Sequence, residues 1–316
     1  MEAVRRAVID VGTNSIKLLV AEVAGREVRP VHEESRQTRL GQGFYETRRL
    51  QPEAIAHTAA AVWEFAEMAR EKGAGSIRVI ATSAARDAVN PGDLTTAIRR
   101  AADLKVEIIS GEQEAEWVFR GVNTDAELAK QPLLLLDVGG GSTEFILGHD
   151  EHQRFAHSFP LGTVRLLEKF PHSDPPTRGE FAACRDWVKG FLQKEVRPKL
   201  EPALHREVKP GSATSRIQLV GTGGTTSILA RIEKKLDRFD RERIESTVLS
   251  REQVTAYRKQ LWGLPLAKRK EITGLPKLRA DVILTGVVIY EAVMEEFDFK
   301  QLRVSTRGLR FAAVME

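Results

Sequence analysis

Two stretches of this sequence carry the same arrangement of reactive groups. Val8-Ile9-Asp10-Val11-Gly12-Thr13-Asn14-Ser15 runs into IKLLVAEV, and Leu135-Leu136-Asp137-Val138-Gly139-Gly140-Gly141-Ser142-Thr143-Glu144 runs into FILG. Each reads as an apolar strand ending in Asp, a tip of glycines and hydroxyls, and a returning strand. Glycine tolerates positive φ, so backbone N–H groups can converge on one small anion. Ser and Thr hydroxyls add donors. The aspartate repels a phosphate but can hold Mg²⁺ or orient a water. One such hairpin is an ordinary turn. Two of them 127 residues apart point to a duplicated domain. Facing each other, they would make a phosphate clamp with two carboxylates.

A third glycine loop, Gly221-Thr222-Gly223-Gly224-Thr225-Thr226-Ser227, follows an apolar run and precedes a helical pattern. It lacks the lysine of a P-loop, and its spacing misses G-x-G-x-x-G, so neither a Walker-type ATPase nor a Rossmann dehydrogenase is supported. Donors at the following helix start would suit an anion.

The elements that must position these loops alternate. Strands are expected at 6–11, 16–23, 77–81, 106–109, 133–136, 145–148, 217–220 and 302–305. Ile55, Ala59, Val62, Ala66 and Ala69 fall on one helix face. Further helices are expected near 92–103, up to about 205, and at 228–238, 251–262 and 278–297, with loop over 82–91. Ser110 and Gln113 fit a capping box that opens a helix directly after the strand at 106–109. Glu114 then lies in the first turns, where the helix dipole favours an anionic carboxylate. Strand–helix alternation argues for an α/β protein.

The chain has 316 residues, 42% hydrophobic and 29% charged, which excludes disordered, collagen-like and coiled-coil classes. No apolar run is long enough for a membrane helix. The N-terminus enters a strand and does not read as a signal peptide. Cys184 is the single cysteine, so no intramolecular disulfide or Cys-rich metal site is possible, and a reducing cytoplasm is the expected setting. His149, His152 and His157 match no metal spacing and are expected at the surface. Net charge is +4, and the excess is uneven: residues 1–124 hold 17 basic and 18 acidic side chains, the remainder 31 and 26. Residues 188–216 carry seven basic and three acidic side chains, and 251–279 carry eight and two. These are either solvated helix faces or a surface that gathers a polyanion.

Hairpins of this kind with a third glycine loop resemble the superfamily of acetate kinase, sugar kinases, heat shock protein 70 and actin. Within it the chain resembles the exopolyphosphatase / guanosine pentaphosphate phosphohydrolase family. The likeness lies in nine ordered blocks: VIDVGTNSIKLLVAEV, RLGQGF, ATSAARDAVN, EIISGEQEAEWVFRGV, LLDVGGGSTEFILG, SFPLGTVRLLEKF, LVGTGGTTSI, ILTGVVIYEAVM and VSTRGLRFA. It implies two duplicated ribonuclease-H-like (actin-like) domains around a cleft, in a short form that lacks the family's helical C-terminal extension. The expected boundaries are 1–124 plus 300–316 for the first domain and 125–299 for the second.

The resemblance also assigns roles. Glu114 takes the catalytic-base position and Arg86 that of a cleft arginine. Gly12, Thr13, Asn14, Ser15, Gly139, Gly140, Gly141, Ser142, Thr143, Gly223 and Gly224 match phosphate-contacting loops. Asp137 and Glu144 match an acidic pair for Mg²⁺ (or Mn²⁺), with Asp10 as the equivalent on the first tip. Two departures stand out. Relatives often follow two glutamates with Ala-Arg, whereas this chain reads Gln113-Glu114-Ala115-Glu116, which makes Glu112 and Glu116 rival bases. Relatives also often read Gly-Leu-Arg-Glu-Gly where this chain has Gly308-Leu309-Arg310-Phe311-Ala312. The expected activity is Mg²⁺-dependent release of the terminal phosphate from inorganic polyphosphate, guanosine pentaphosphate, or both. The resemblance implies a homodimer, and neither nucleic acid nor membrane is expected as a partner. Two rivals share the scaffold: a kinase using ATP on a small acid or sugar, and a non-catalytic alarmone or polyphosphate sensor.

Overall fold

The computed structural model describes residues 2–207, 217–245 and 247–316. Two compact units divide them: 1–125, 139–141 and 307–316 form the first, and 126–138 and 142–306 the second.

In the first unit β1 (Val4–Val11), β2 (Ser15–Ala24) and β3 (Glu27–Gln37) form an antiparallel meander. Then come α1 (Phe44–Thr47), α2 (Pro52–Glu71), β4 (Ser76–Ala81), α3 (Ser83–Asp87), α4 (Pro91–Ala102), β5 (Val106–Ile108) and α5 (Gly111–Val122). The sheet order is β3-β2-β1-β4-β5, with β4 parallel to β1 and β5 parallel to β4. Ile9, Val11, Ile16 and Leu18 pack with Val62, Phe65, Ala66 and Ile98 of α2 and α4 in one core. The stretch after β4, expected as loop, begins with the one-turn helix α3, in which Arg86 N–H bonds the Thr82 carbonyl.

The second unit opens with β6 (Leu133–Val138), β7 (Thr143–His149) and β8 (His152–Phe159), again an antiparallel meander. It continues with α6 (Thr163–Lys169), α7 (Arg178–Phe191), a π-turn and α8 (Arg197–Glu207). Then follow β9 (Gln218–Thr222), α9 (Gly223–Glu233), α10 (Arg241–Glu245), β10 (Val248–Ser250), α11 (Arg251–Trp262), α12 (Leu266–Arg269), α13 (Ile283–Glu296) and β11 (Gln301–Val304). The order is β10-β11-β9-β6-β7-β8. Without the short edge strand β10, this is the strand order of the first unit, which accounts for the sequence echo. Leu133–Leu136 are buried on both sheet faces, and α13 buries every residue from Ile283 to Met294. A helix so largely apolar belongs at the centre of a core, and its buried Glu291 is neutralised by Arg258.

The expected return to the first domain at residue 300 is corrected to Arg307. β11 pairs with β9 and β10, so residues 301–304 complete the second sheet. The last helix, α14 (Leu309–Ala313), packs on α5 in the first unit. A Cβ on Gly121 would lie 2.1 Å from the Gly308 carbonyl oxygen, so this crossing requires glycine. Arg310 donates to the Leu18 carbonyl at 2.8 Å, and Phe311 is fully buried beneath the Arg307 guanidinium. The departure at Phe311 and Ala312 is therefore a core substitution, not a surface one.

Candidate active site

The first tip closes where the Gly12 N–H bonds the Ser15 carbonyl at 3.0 Å. Residues 39–41 clamp it from outside: Gly41 N–H bonds the Thr13 carbonyl at 2.7 Å and Arg39 N–H the Asn14 carbonyl at 3.1 Å. A Cβ on Gly41 would lie 2.3 Å from the Thr13 methyl, which explains the glycine in RLGQGF. Thr13, Asn14 and Ser15 are buried.

Because β4 runs parallel beside β1, residues 82–86 emerge at the same sheet end as this tip. Arg86 Nη1 donates to Glu114 Oε2 at 2.8 Å and to the Ile109 carbonyl at 3.3 Å. Ser110 caps α5 by accepting the Gln113 N–H, while the Gln113 side chain turns to Glu116 instead of completing the box. Glu114 is 8% exposed, with Ala115, Trp117 and Val118 buried around it. Glu112 and Glu116 are exposed, and Glu116 pairs with Arg120 at 3.6 Å. Burial and the guanidinium together single out Glu114, which spacing alone left among three acids.

In the second unit the register places Asp137 directly across from Glu144, and Glu144 across from Ser158. Ser158 Oγ donates to Glu144 Oε1 at 2.7 Å, and Glu144 is 1% exposed. Ser142 and Thr143 are buried, and the Thr143 hydroxyl donates to the Leu161 carbonyl. The third loop crosses Asp137. Gly223 sits at φ +88°, and a Cβ there would lie 2.7 Å from Asp137 Oδ1. Only glycine supplies both the conformation and the clearance.

Two residues here escaped the sequence reading. The Tyr290 hydroxyl lies 3.1 Å from the Leu136 carbonyl and 3.0 Å from that of Thr222, the strand residues preceding Asp137 and Gly223. Burial, reinforced by the Asp137 charge, pushes this phenol well above its usual range. Its signal was a phenol set in a largely apolar helix. Arg279 lies with Nη1 3.3 Å from where a Gly224 Cβ would stand, a proximity that no spacing in the sequence signals.

Part of the basic stretches is consumed in ion pairs inside the second unit. Arg251 pairs with Asp298, Arg258 with buried Glu291, Lys268 with Glu271 and Arg269 with Asp174. Lys189 and Arg197 pair with Glu295 and Glu296. Residues 208–216 of the first basic stretch lie outside the described residues.

Among the described residues, no group of three or more His, Cys, Asp or Glu could hold a metal. The donor set that does exist is two hard carboxylates opposite each other. That fits Mg²⁺, which keeps several waters and takes one or two carboxylates together with phosphate oxygens. Like charges directly opposite on a sheet repel, so a cation there would relieve the pair. Across the corresponding position of the first hairpin, Asp10 faces Lys17.

The fold defines an α/β protein of the two-domain actin-like class. The chain belongs to the Ppx/GppA phosphatase family, which it matches over residues 19–315. It is 38% identical over 306 residues to Exopolyphosphatase 2 of Mycobacterium tuberculosis, covering 94% of this chain and 92% of that one. A solved Ppx/GppA family member from Aquifex aeolicus is 30% identical with TM-score 0.76, covering 99% of this chain and 97% of that one. An exopolyphosphatase structure from Cytophaga hutchinsonii is 27% identical with TM-score 0.84, covering 98% and 96%. No helix among the described residues is long and apolar enough to cross a membrane.

Proposed function

We propose that this chain is an exopolyphosphatase, releasing the terminal phosphate of inorganic polyphosphate by attack of water on the end phosphorus. The observation that carries this reading is the buried Glu114 carboxylate oriented by Arg86, in a chain whose similar relatives are named exopolyphosphatases. Glu114 accepts the proton of the attacking water. Backbone N–H groups of Gly139, Gly140, Gly141, Gly223 and Gly224, with Thr13, Asn14, Ser15 and Ser142, bind phosphoryl oxygens, while Gly12 and Thr143, whose N–H and hydroxyl are taken by the Ser15 and Leu161 carbonyls, shape the tips. Arg86 both orients Glu114 and offers a fork suited to phosphate. Asp137 and Glu144 would hold Mg²⁺ (or Mn²⁺), which when bound neutralises phosphate charge as a Lewis acid. Asp10, faced by Lys17, orients water instead.

Guanosine pentaphosphate offers the same terminal anhydride, and the family's double name supports it as a second substrate. The family resemblance supports a homodimer, and the single cysteine a reducing cytoplasm. The deciding experiment measures phosphate release with Mg²⁺ from long polyphosphate, tripolyphosphate, guanosine pentaphosphate and ATP. Release from polyphosphate without an acceptor supports the reading. ATP turnover only with an acceptor would indicate a kinase, and binding without release a sensor.

A further inference from the structure

Several polar groups are sealed in the first unit without a hydrogen-bond partner among the described residues, Thr38 and Thr58 among them, and two stand out. They are the Ser83 hydroxyl, in a residue 3% exposed, and Asn14 Nδ2, in a residue 5% exposed. A buried donor left unsatisfied is costly, and its persistence calls for an explanation. Both lie at one end of the sheet. Asn14 follows β1, and Ser83 follows β4, the parallel neighbour of β1. Residues 139–141 group with this unit. The hydroxyls of Ser83 and Thr13 stand 2.4 and 3.0 Å from the point a Gly141 Cβ would occupy, and that of Tyr45 stands 2.5 Å from it. The Ser83 hydroxyl is thus gathered with the first tip around a phosphate-type glycine. Ser83 also precedes Arg86 by one helical turn, which puts both on one face of α3.

We infer that Ser83 is a phosphate-binding residue, its Oγ donating to a phosphoryl oxygen alongside Asn14 Nδ2. Neither the sequence motifs nor the family resemblance assigned it a role. The chemistry selects the ligand class: a tetrahedral anion presents several acceptors, and the groups waiting here are an O–H and an N–H beside glycine amides. The identity of the phosphate as a polyphosphate end rests on the function proposed above; the contact itself does not.

The test uses the full chain and two variants, Ser83→Ala and Thr58→Val. Thr58 on α2 is a second fully buried hydroxyl without a partner among the described residues, so its removal controls for deleting such a group anywhere in the unit. Binding of orthophosphate and of tripolyphosphate without Mg²⁺ is read from the ligand-induced rise in Tm, and KM and kcat from tripolyphosphate hydrolysis. Ser83→Ala should weaken both bindings and raise KM about tenfold, the worth of one hydrogen bond to a charged group. Thr58→Val should leave all three unchanged. Ser83→Ala binding within a factor of about two of wild type, well short of that loss, would overturn the inference. So would an equal loss in both variants, or no response of the wild type to either anion. If the wild type binds both anions through Ser83 but releases no phosphate, the hydrolase reading falls and the contact stands.

Discussion

The two units share a backbone plan and differ in what they hang on it. Both sheets run in the same strand order, and both hairpins set their aspartate opposite the residue seven positions on. In the first that residue is Lys17; in the second it is Glu144. The first pair compensates itself, whereas the second gathers negative charge that a cation would neutralise. The first unit instead places its second carboxylate, Glu114, on a helix and balances it with Arg86. The two scaffolds are equivalent but differ at this cross-strand position, and the proposed base lies in one unit and the proposed metal pair in the other.

Breaking that division at its strongest point means Glu114→Gln. General-base loss costs roughly 10²–10⁴ in rate, so kcat should fall within that range while substrate binding survives. Glu112→Gln and Glu116→Gln should remain near wild type, because both side chains are exposed. A Glu114→Gln enzyme retaining more than about a tenth of wild-type kcat, against that expected loss, would move the base elsewhere.

Next comes the metal. Asp137→Asn should cut turnover and raise the Mg²⁺ concentration needed for half-maximal rate, while Asp10→Asn should change that requirement much less. Equal shifts in the two Mg²⁺ titrations would erase the contrast between the hairpins.

A smaller effect sharpens the role of the third loop. Gly223→Ala forces a side chain into φ +88° against Asp137. It should destabilise the second unit by about 1–3 kcal/mol, the range for strained backbone, and raise the Mg²⁺ requirement in parallel. Denaturant unfolding and a Mg²⁺ titration on the same variant check both.

The mildest prediction separates the units by reactivity. Burial pushes the Cys184 thiol up to about 12, so at pH 8 it should resist alkylation until the second unit opens. Its folded value lies above the unfolded one. Its contribution to stability is therefore complete below about pH 8.5 and is lost as pH climbs toward 12. Rapid labelling of native protein at pH 8 would contradict this.

Much of the scaffold was legible because its signals are local. The apolar run 133–136, the glycine tips and the helix at 251–262 each announce themselves within a few residues, and the observed α11 spans those same bounds. The domain return at 307 was not legible, because β11 owes its place to pairing with strands more than 45 residues away in sequence. Gly121 and Phe311 likewise make sense only once α14 lies on α5.

The sequence by itself determined the duplicated α/β plan, the three glycine loops and the acids within reach of them, since residue type and short-range spacing set turns and periodicity. Tertiary structure alone decided which acid is buried against Arg86, and that Asp137 faces a glutamate while Asp10 faces a lysine. It also brought Tyr290, Arg279 and Ser83 to the loops, and spent part of the apparent basic excess in ion pairs. Those outcomes depend on strand register, helix packing and burial, which join residues far apart in the chain and leave no mark on the spacing of their neighbours.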